Sequence, residues 1–190
     1  IDAAEPPAVD STLAARAADA TDDLARRIEG RLAAIGVQAF LTHPTVRSRE
    51  DFPAEADRAD VANRTGADLC VSLHVDAAES PVPSGVATYF YGLDSRGIRS
   101  TVGERFAGLV QREIVARTDL PDLRTHATTG DLLRRTRMPA VRIDLGYVTN
   151  PGDAARLDDP AFRDVVAEAV VVAVQRVYLT PETDSRTGVL

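Results

Sequence analysis

Two polar side chains are candidates for chemistry because each lies near the carboxyl end of an apolar, strand-like run. His74 is the only one of the three histidines in such a position, within the run 68–75. Asp144 occupies a similar place in the run 140–148, just before Gly146. Open α/β sheets bind their ligands at the carboxyl ends of the strands, so these two residues define a candidate site. A hydrogen-bonded structural pair is the alternative, and spacing alone does not decide between the two.

Other catalytic motifs are missing from the sequence. It contains no G-x-S-x-G nucleophile elbow, no Walker loop and no G-x-G-x-x-G after a strand. The one cysteine excludes an internal disulfide framework, and Cys70 is expected to be a buried thiol because it lies in an apolar run. Hydrolysis through a serine or cysteine nucleophile therefore has no support in the sequence.

Alternating helical and extended patterns predict the elements that position His74 and Asp144. Apolar residues recur every three or four positions in the first predicted helix, as on the buried face of an amphipathic helix. The pattern favours an α/β fold with a largely parallel sheet, in one domain (1–178) with a polar tail (179–190). The predicted helices are 11–35, 53–64, 100–118 and 161–178, the strands 37–42, 68–75, 86–91 and 140–148, the loop 119–137 and the turn 149–152.

Composition and charge exclude several classes of partner. The 190 residues carry 22 basic and 29 acidic side chains, a formal net charge of -7. This net negative charge argues against non-specific binding to nucleic acid or to an anionic membrane. The longest apolar stretch, 165–174, is far shorter than the roughly 20 residues that span a bilayer. We therefore expect neither a nucleic-acid partner nor a membrane span.

Five segments, in order along the chain, resemble motifs of the zinc-dependent N-acetylmuramoyl-L-alanine amidases of the Amidase_3 family. The segment Ser72–Ala77 resembles S-x-H-x-N-A, and Arg58 with Ala62-Asn63 resembles R-x-x-x-A-N. Further along, 85–90 resembles G-V-E-T-Y-Y, 133–140 resembles L-R-x-T-x-M-P-A, and 143–150 resembles V-E-L-G-F-L-T-N. The resemblance covers roughly residues 1–178 and implies a twisted, mostly parallel sheet flanked by helices.

The resemblance implies a zinc site, but this sequence departs from the family at most of the positions that would build it. Family members bind zinc through His, Glu and His, and a glutamate on the last strand moves the proton during cleavage of the muramic acid to L-alanine bond. By the same motifs, Glu5 stands at the first ligand, Ala17 at the second, His74 at the third, and Asp144 at the catalytic glutamate. Asp10 or Asp19 could supply the second ligand only if the backbone were shifted.

These departures indicate a pseudoenzyme that keeps the amidase fold but does not bind zinc. Resemblance to catalytically degenerate family members implies a cytoplasmic regulator of peptidoglycan precursor synthesis. Its expected partners are the UDP-N-acetylglucosamine enolpyruvyl transferase, a Ser/Thr protein kinase and, as a further candidate, a phosphothreonine-binding domain. Two alternatives stay open: an active zinc amidase with displaced ligands, and a module that binds peptidoglycan without cleaving it.

Threonines and arginines are the candidate regulatory residues. Resemblance to the degenerate members favours phosphorylation of Thr187 and then of Thr183; a solvated tail with incidental threonines is the alternative. Planar guanidinium groups suit phosphate and carboxylate, so an arginine cluster is expected to bind such an anion, or else simply to keep an exposed loop soluble. The cluster consists of Arg124, Arg134, Arg135 and Arg137.

Overall fold

The computed structural model describes residues 1–45, 49, 51–93 and 98–178. The predicted tail, 179–190, and with it Thr183 and Thr187, lies outside the described residues. Within them, no helix combines the length and apolarity needed to cross a membrane.

The described residues form a six-stranded mixed sheet with helices on both faces, which confirms the predicted α/β class. The strands lie in the order β1-β2-β6-β3-β4, and β5, which is outside this order, also pairs with β3. Strand β3 runs antiparallel to β6 and β4, whereas the pairs β1 with β2, β2 with β6, and β3 with β5 are parallel. The strands are β1 (Asp2–Ala3), β2 (Cys70–Asp76), β3 (Val86–Leu93), β4 (Ile98–Arg99), β5 (Asp122–Thr128) and β6 (Ala140–Tyr147).

Helices cover the two faces of the sheet unequally. The helices are α1 (Ser11–Ala34), α2 (Glu55–Thr65), α3 (Thr101–Arg117), α4 (Asp131–Arg135), α5 (Pro151–Asp158) and α6 (Pro160–Val177). The larger core cluster joins the apolar faces of α1, α3 and α6 to strand residues such as Leu73 and Ile143, both fully buried. A smaller cluster on the opposite face joins Ala62 of α2, Leu132 and Leu133 of α4, and Cys70. We call this second face the front face.

Strand alternation places the polar candidates on the front face. Successive side chains of a strand point to opposite faces, so the core residues Val71, Leu73 and Val75 leave Ser72, His74 and Asp76 facing forward. The same alternation in β6 turns Arg142 and Asp144 forward, and His74 lies opposite Asp144 in the parallel pairing. Capping fixes where α1 begins, since the Asp10 carboxylate accepts hydrogen bonds from the backbone of Thr12 and Leu13.

Two local predictions are wrong, and a third covers only the start of a longer feature. The segment 37–42 is not a strand: it meets Ile1 through only two hydrogen bonds, because β1 is too short to extend a ladder. Its apolar residues line a cavity of about 490 Å³. The predicted loop 119–137 contains β5, which has no buried residue, and the short helix α4, in which only Leu132 and Leu133 are buried, so the segment gives little apolar signal. The predicted turn 149–152 leads directly into α5, which begins at Pro151 and is capped by Asn150.

Candidate functional site

A cavity of about 190 Å³ opens on the front face between the sheet, α2 and α4. His74 and Asp144 both line it, so the structure brings the two leading sequence candidates to one place. An adjoining cleft reaches Glu5 and two arginines, Arg49 and Arg58. The cavity is lined by Glu55, Ser72, His74, Asp76, Tyr89, Thr128, Gly130, Leu132, Leu133, Arg142 and Asp144.

His74 is held by a chain of hydrogen bonds that starts at the buried carboxylate of Asp2. The Ser72 hydroxyl donates to Asp2 Oδ2 at 2.6 Å, and Ser72 Oγ lies 2.9 Å from His74 Nε2. Because the single Ser72 proton is directed to Asp2, Nε2 of His74 must donate to Ser72, which leaves Nδ1 as the ring's acceptor. Burial, assisted by the charges of Arg142 and Arg58, holds the pKa of His74 well below its usual value. His74 is therefore a neutral imidazole at pH 7.

Asp2 anchors this chain through a buried ion pair. Arg58 Nη1 lies 2.5 Å from Asp2 Oδ2, and the two side chains are 2% and 0% exposed. The Thr42 hydroxyl donates to the other oxygen, Oδ1, at 2.7 Å. The Arg58 guanidinium also lies 5.3 Å from the ring centroid of Phe52. Arg58, which matches a family motif, thus joins α2 to the short strand β1.

Asp144 is engaged by a neighbouring guanidinium. Arg142 donates to both of its oxygens, from Nε to Oδ1 at 2.6 Å and from Nη2 to Oδ2 at 3.0 Å. The same guanidinium lies 5.5 Å from the ring centroid of Tyr89 and 3.9 Å from Asp76 Oδ1. Burial raises the pKa of Asp144, although the bonds and charge of Arg142 oppose the rise. Both carboxylate oxygens of Asp144 therefore accept hydrogen bonds in one bidentate ion pair with Arg142.

The positions that would hold zinc do not fit the metal. A catalytic zinc site uses three protein ligands. Glu5 pairs with Arg49, whose Nε lies 2.6 Å from Oε1, and Ala17 is buried and carries no donor atom. Asp10 caps α1 and Asp19 is exposed. Among the described residues, no group of three or more His, Cys, Asp or Glu side chains could hold a metal ion. His74 alone among the sequence-assigned positions keeps a suitable nitrogen donor.

The predicted arginine cluster is divided between two places. Arg134 and Arg135 lie on α4 and share one carboxylate, that of Asp131, at 2.6 and 3.6 Å. Arg137 follows them, and its backbone N–H donates to Asn63 Oδ1 at 2.8 Å. Arg124 lies at the other end of β5, 79% exposed and 3.4 Å from Asp122. Arg124, near the start of β5, thus lies on a different element from Arg134 and Arg135.

Sequence reasoning missed the residues that now hold the site. Arg142 is two positions before Asp144 in a strand, so the alternation alone places both side chains on one face. Asp2 gave no comparable signal, because its partner Arg58 is distant in sequence and only the fold brings the two together. The buried network around His74 is thus a tertiary feature.

Comparisons with known proteins agree with this architecture. The Amidase_3 family model, described as N-acetylmuramoyl-L-alanine amidase, matches residues 8–176. The chain is 48% identical over 171 residues to N-acetylmuramoyl-L-alanine amidase CwlM of Mycobacterium tuberculosis, covering 90% of this chain and 41% of CwlM. It is 26% identical to N-acetylmuramoyl-L-alanine amidase LytC of Bacillus subtilis, covering 78% of this chain and 28% of LytC. The chain thus spans less than half the length of these two relatives.

Solved amidase structures share the fold. The crystal structure of an N-acetylmuramoyl-L-alanine amidase from Clostridium difficile 630 superposes with a TM-score of 0.74 at 25% identity, covering 83% of this chain and 81% of that chain. N-acetylmuramoyl-L-alanine amidase AmiC2 of Nostoc punctiforme gives 0.73 at 25% identity, with 83% and 82% covered. Ordered motifs, fold and family match agree, and the chain belongs to the Amidase_3 family of N-acetylmuramoyl-L-alanine amidases.

Proposed function

We propose that this chain is a non-catalytic member of the amidase family that acts by binding other proteins. The observation that carries the proposal is the bidentate Arg142–Asp144 pair, at 2.6 and 3.0 Å, in the place of the family's catalytic glutamate. A general base must reach the water it deprotonates. Asp144 is one methylene shorter than glutamate, and both of its oxygens already accept hydrogen bonds from Arg142.

Cations occupy the surroundings in which an active relative would hold zinc. Arg49, Arg58 and Arg142 line the cleft that contains His74 and Glu5. A metal there would add positive charge beside the guanidinium groups of Arg49 and Arg142, and Glu5 would have to leave Arg49 to bind it. This arrangement supports the loss of zinc. We infer that the ion pairs stabilise the fold in place of the metal.

We further propose that the retained frame regulates peptidoglycan precursor synthesis in the cytoplasm. Following the resemblance to degenerate family members, its partner would be the UDP-N-acetylglucosamine enolpyruvyl transferase. A Ser/Thr protein kinase would control the interaction by modifying Thr187 or Thr183, and a phosphothreonine-binding domain is a further candidate partner. Arg134, Arg135 and Arg137 supply a basic surface beside the old site for an acidic partner.

Active amidase is the second candidate function, and family membership favours it. The relatives CwlM and LytC both carry the name N-acetylmuramoyl-L-alanine amidase. An active enzyme would need Arg142 to leave Asp144 and a second zinc ligand to replace Ala17.

Two assays on the purified chain separate these functions. Release of stem peptide from muropeptides is measured with added zinc, with LytC as the active control. Binding of the transferase is measured by calorimetry, for the unmodified and the kinase-treated chain. We expect no turnover, together with transferase binding that changes after treatment. Turnover abolished by His74→Ala would instead establish the amidase, and absence of transferase binding in both forms would contradict the regulatory role.

A further inference from the structure

The cavity of about 490 Å³ at the edge of the sheet has the shape of a slot between two segments of backbone. Its long walls are the segments 37–42 and 66–71, the second of which leads into β2. Leu32 of α1 and Val174 of α6 lie behind it, and Val61 of α2 lies in front. The residues that line it differ from those that line the candidate site. We call this cavity the edge slot.

Hydrogen bonds show that the two walls are spaced to hold one strand between them. The Ile1 amino group donates to Phe40 O at 2.6 Å, and Thr42 N–H donates to Ile1 O at 3.0 Å. Two such bonds, on either side of one residue of the neighbouring segment, are the pattern of a parallel ladder. On its other side, β1 pairs in parallel with β2 from Asp2 and Ser72 onward. The line of β1 thus passes through the edge slot, between both walls.

Each wall turns an unpaired backbone N–H into the edge slot. In parallel strands the N–H and C=O of one residue point to one side, and those of the next residue point to the other. Cys70 N–H donates to Pro139 O at 3.0 Å on the β6 side, so Val71 N–H points to the slot. Phe40 N–H points to it from the opposite wall, on the same side as the C=O that binds Ile1. Within the described part of the chain, neither N–H has a hydrogen-bond partner.

Apolar side chains and unpaired N–H groups together specify what fits the edge slot. Val37, Phe40 and Tyr178 line it and are 38%, 40% and 64% exposed, which makes an apolar surface at its mouth. A small apolar molecule would cover these side chains but leave the N–H groups of both walls unpaired. An extended peptide satisfies both requirements, because its backbone pairs with the walls while its side chains pack on the helices in front and behind.

We propose that the edge slot binds an extended, apolar segment of a partner protein as an added β-strand, parallel to β2 and in line with β1. Two consecutive C=O groups of this segment accept hydrogen bonds from Val71 N–H and Phe40 N–H. Because helices cover both faces of the slot, the segment is continuously apolar rather than alternating. The inference goes beyond the proposed function, since the edge slot is separate from the candidate site and requires neither the transferase nor a kinase.

A synthetic peptide, acetyl-Lys-Lys-Val-Val-Val-amide, tests the proposal on the full 190-residue chain. Hydrogen exchange of single amides is followed by nuclear magnetic resonance with and without an excess of the peptide. We expect the exchange of Val71 and Phe40 to slow by about tenfold or more, because each N–H gains a hydrogen bond. The exchange of Leu41 should not change, since its N–H points away from the slot by strand alternation.

A second peptide and two variants of the chain are the matched controls. Acetyl-Lys-Lys-Val-Pro-Val-amide keeps the apolar character but lacks an N–H and cannot pair with both walls, so it should leave the exchange unchanged. This peptide tests the pairing without any change in the chain. Ala67→Phe fills the edge slot from a half-buried lining position and should abolish the effect of the valine peptide. Ala116→Phe, on the exposed side of α3, should retain it.

Several results would overturn the proposal. Unchanged exchange of Val71 and Phe40 with the valine peptide, or equal slowing by the proline peptide, would exclude an added strand. Slow exchange without peptide would give the edge slot to this chain itself, or to a second copy if the slowing increases with chain concentration, and either result would overturn binding of a partner segment. The readout requires neither zinc, turnover nor the transferase, so its failure and failure of the proposed function are separate results.

Discussion

At the residue scale, the central feature is that guanidinium groups pair with the acidic residues in and around the candidate site. Arg142 holds Asp144, Arg58 holds Asp2, and Arg49 holds Glu5. His74 is neutral because burial and two nearby cations disfavour its protonation. A neutral imidazole with one free acceptor is suited to binding, but among the described residues no group of three or more His, Cys, Asp or Glu side chains could hold a metal ion.

Removing the Arg142 guanidinium should destabilise the fold, because Asp144 is buried and Arg142 is its ion-pair partner. Arg142→Met leaves a buried carboxylate unpaired, and we expect a loss of about 1 to 3 kcal/mol in the free energy of unfolding, measured by urea denaturation. Adding Asp144→Asn should restore part of the loss, because the uncompensated charge is gone. Equal stability of Arg142→Met and the unmodified chain would contradict the role of the pair.

His74 should make the fold sensitive to mild acid. Its pKa is lowered in the folded chain, so below its ordinary value of 6.5 the unfolded chain binds a proton that the folded chain does not. The free energy of unfolding should therefore fall as the pH drops from 6.5 towards the folded pKa. The raised pKa of Asp144 acts in the opposite sense, since its contribution is lost as the pH rises through the folded value.

Comparison of variants isolates the histidine. His74→Asn should flatten the pH dependence of thermal unfolding below 6.5, and exposed His126→Gln should keep the slope of the unmodified chain. Asp144 is present in all three chains, so its contribution cancels in the differences. An unchanged slope in His74→Asn would show that His74 is not the titrating group.

At the element scale, the two-residue strand β1 depends on side chains more than on its ladder. Backbone pairing with β2 covers only Asp2 and Ala3. The Asp2 carboxylate adds bonds to Ser72 of β2, Arg58 of α2 and Thr42. One buried carboxylate thus joins the sheet edge, the front helix and the segment after α1.

Truncation of Asp2 should loosen all of these elements together. Asp2→Ala leaves the buried Arg58 guanidinium unpaired, and we expect the free energy of unfolding to fall by about 3 to 5 kcal/mol. Hydrogen exchange should accelerate in β2 and α2. The matched control is Asp131→Ala, which removes an exposed carboxylate paired with arginines and should change stability little. Similar behaviour of both variants would contradict the anchoring role.

The sequence predicted the long elements well because burial repeats along them. Helices α1 and α6 and strands β2 and β6 carry regular or continuous apolar patterns. The strand β5 and helix α4 were missed because β5 has no buried residue and α4 is only five residues long with two buried leucines, so neither shows a repeating apolar pattern. His74 and Asp144 were found from their strand positions, whereas the network of Asp2, Arg58 and Arg142 depends on contacts between distant segments.

At the scale of the whole molecule, an amidase frame surrounds a site whose charges are satisfied internally. The family match spans residues 8–176, and the fold superposes on solved amidases with TM-scores of 0.74 and 0.73. Fold alone does not fix function, which depends on the residues grafted onto it. Here residues at the candidate site form ion pairs with arginines.

Zinc stoichiometry of the purified chain tests the loss of the metal site most directly. Elemental analysis and titration against a competing chelator are run on the unmodified chain and on its His74→Ala variant. We predict substoichiometric zinc and no tight site after metal is added, since Glu5, Ala17 and His74 do not form a ligand set. A full equivalent of tightly bound zinc, lost in His74→Ala, would contradict the account.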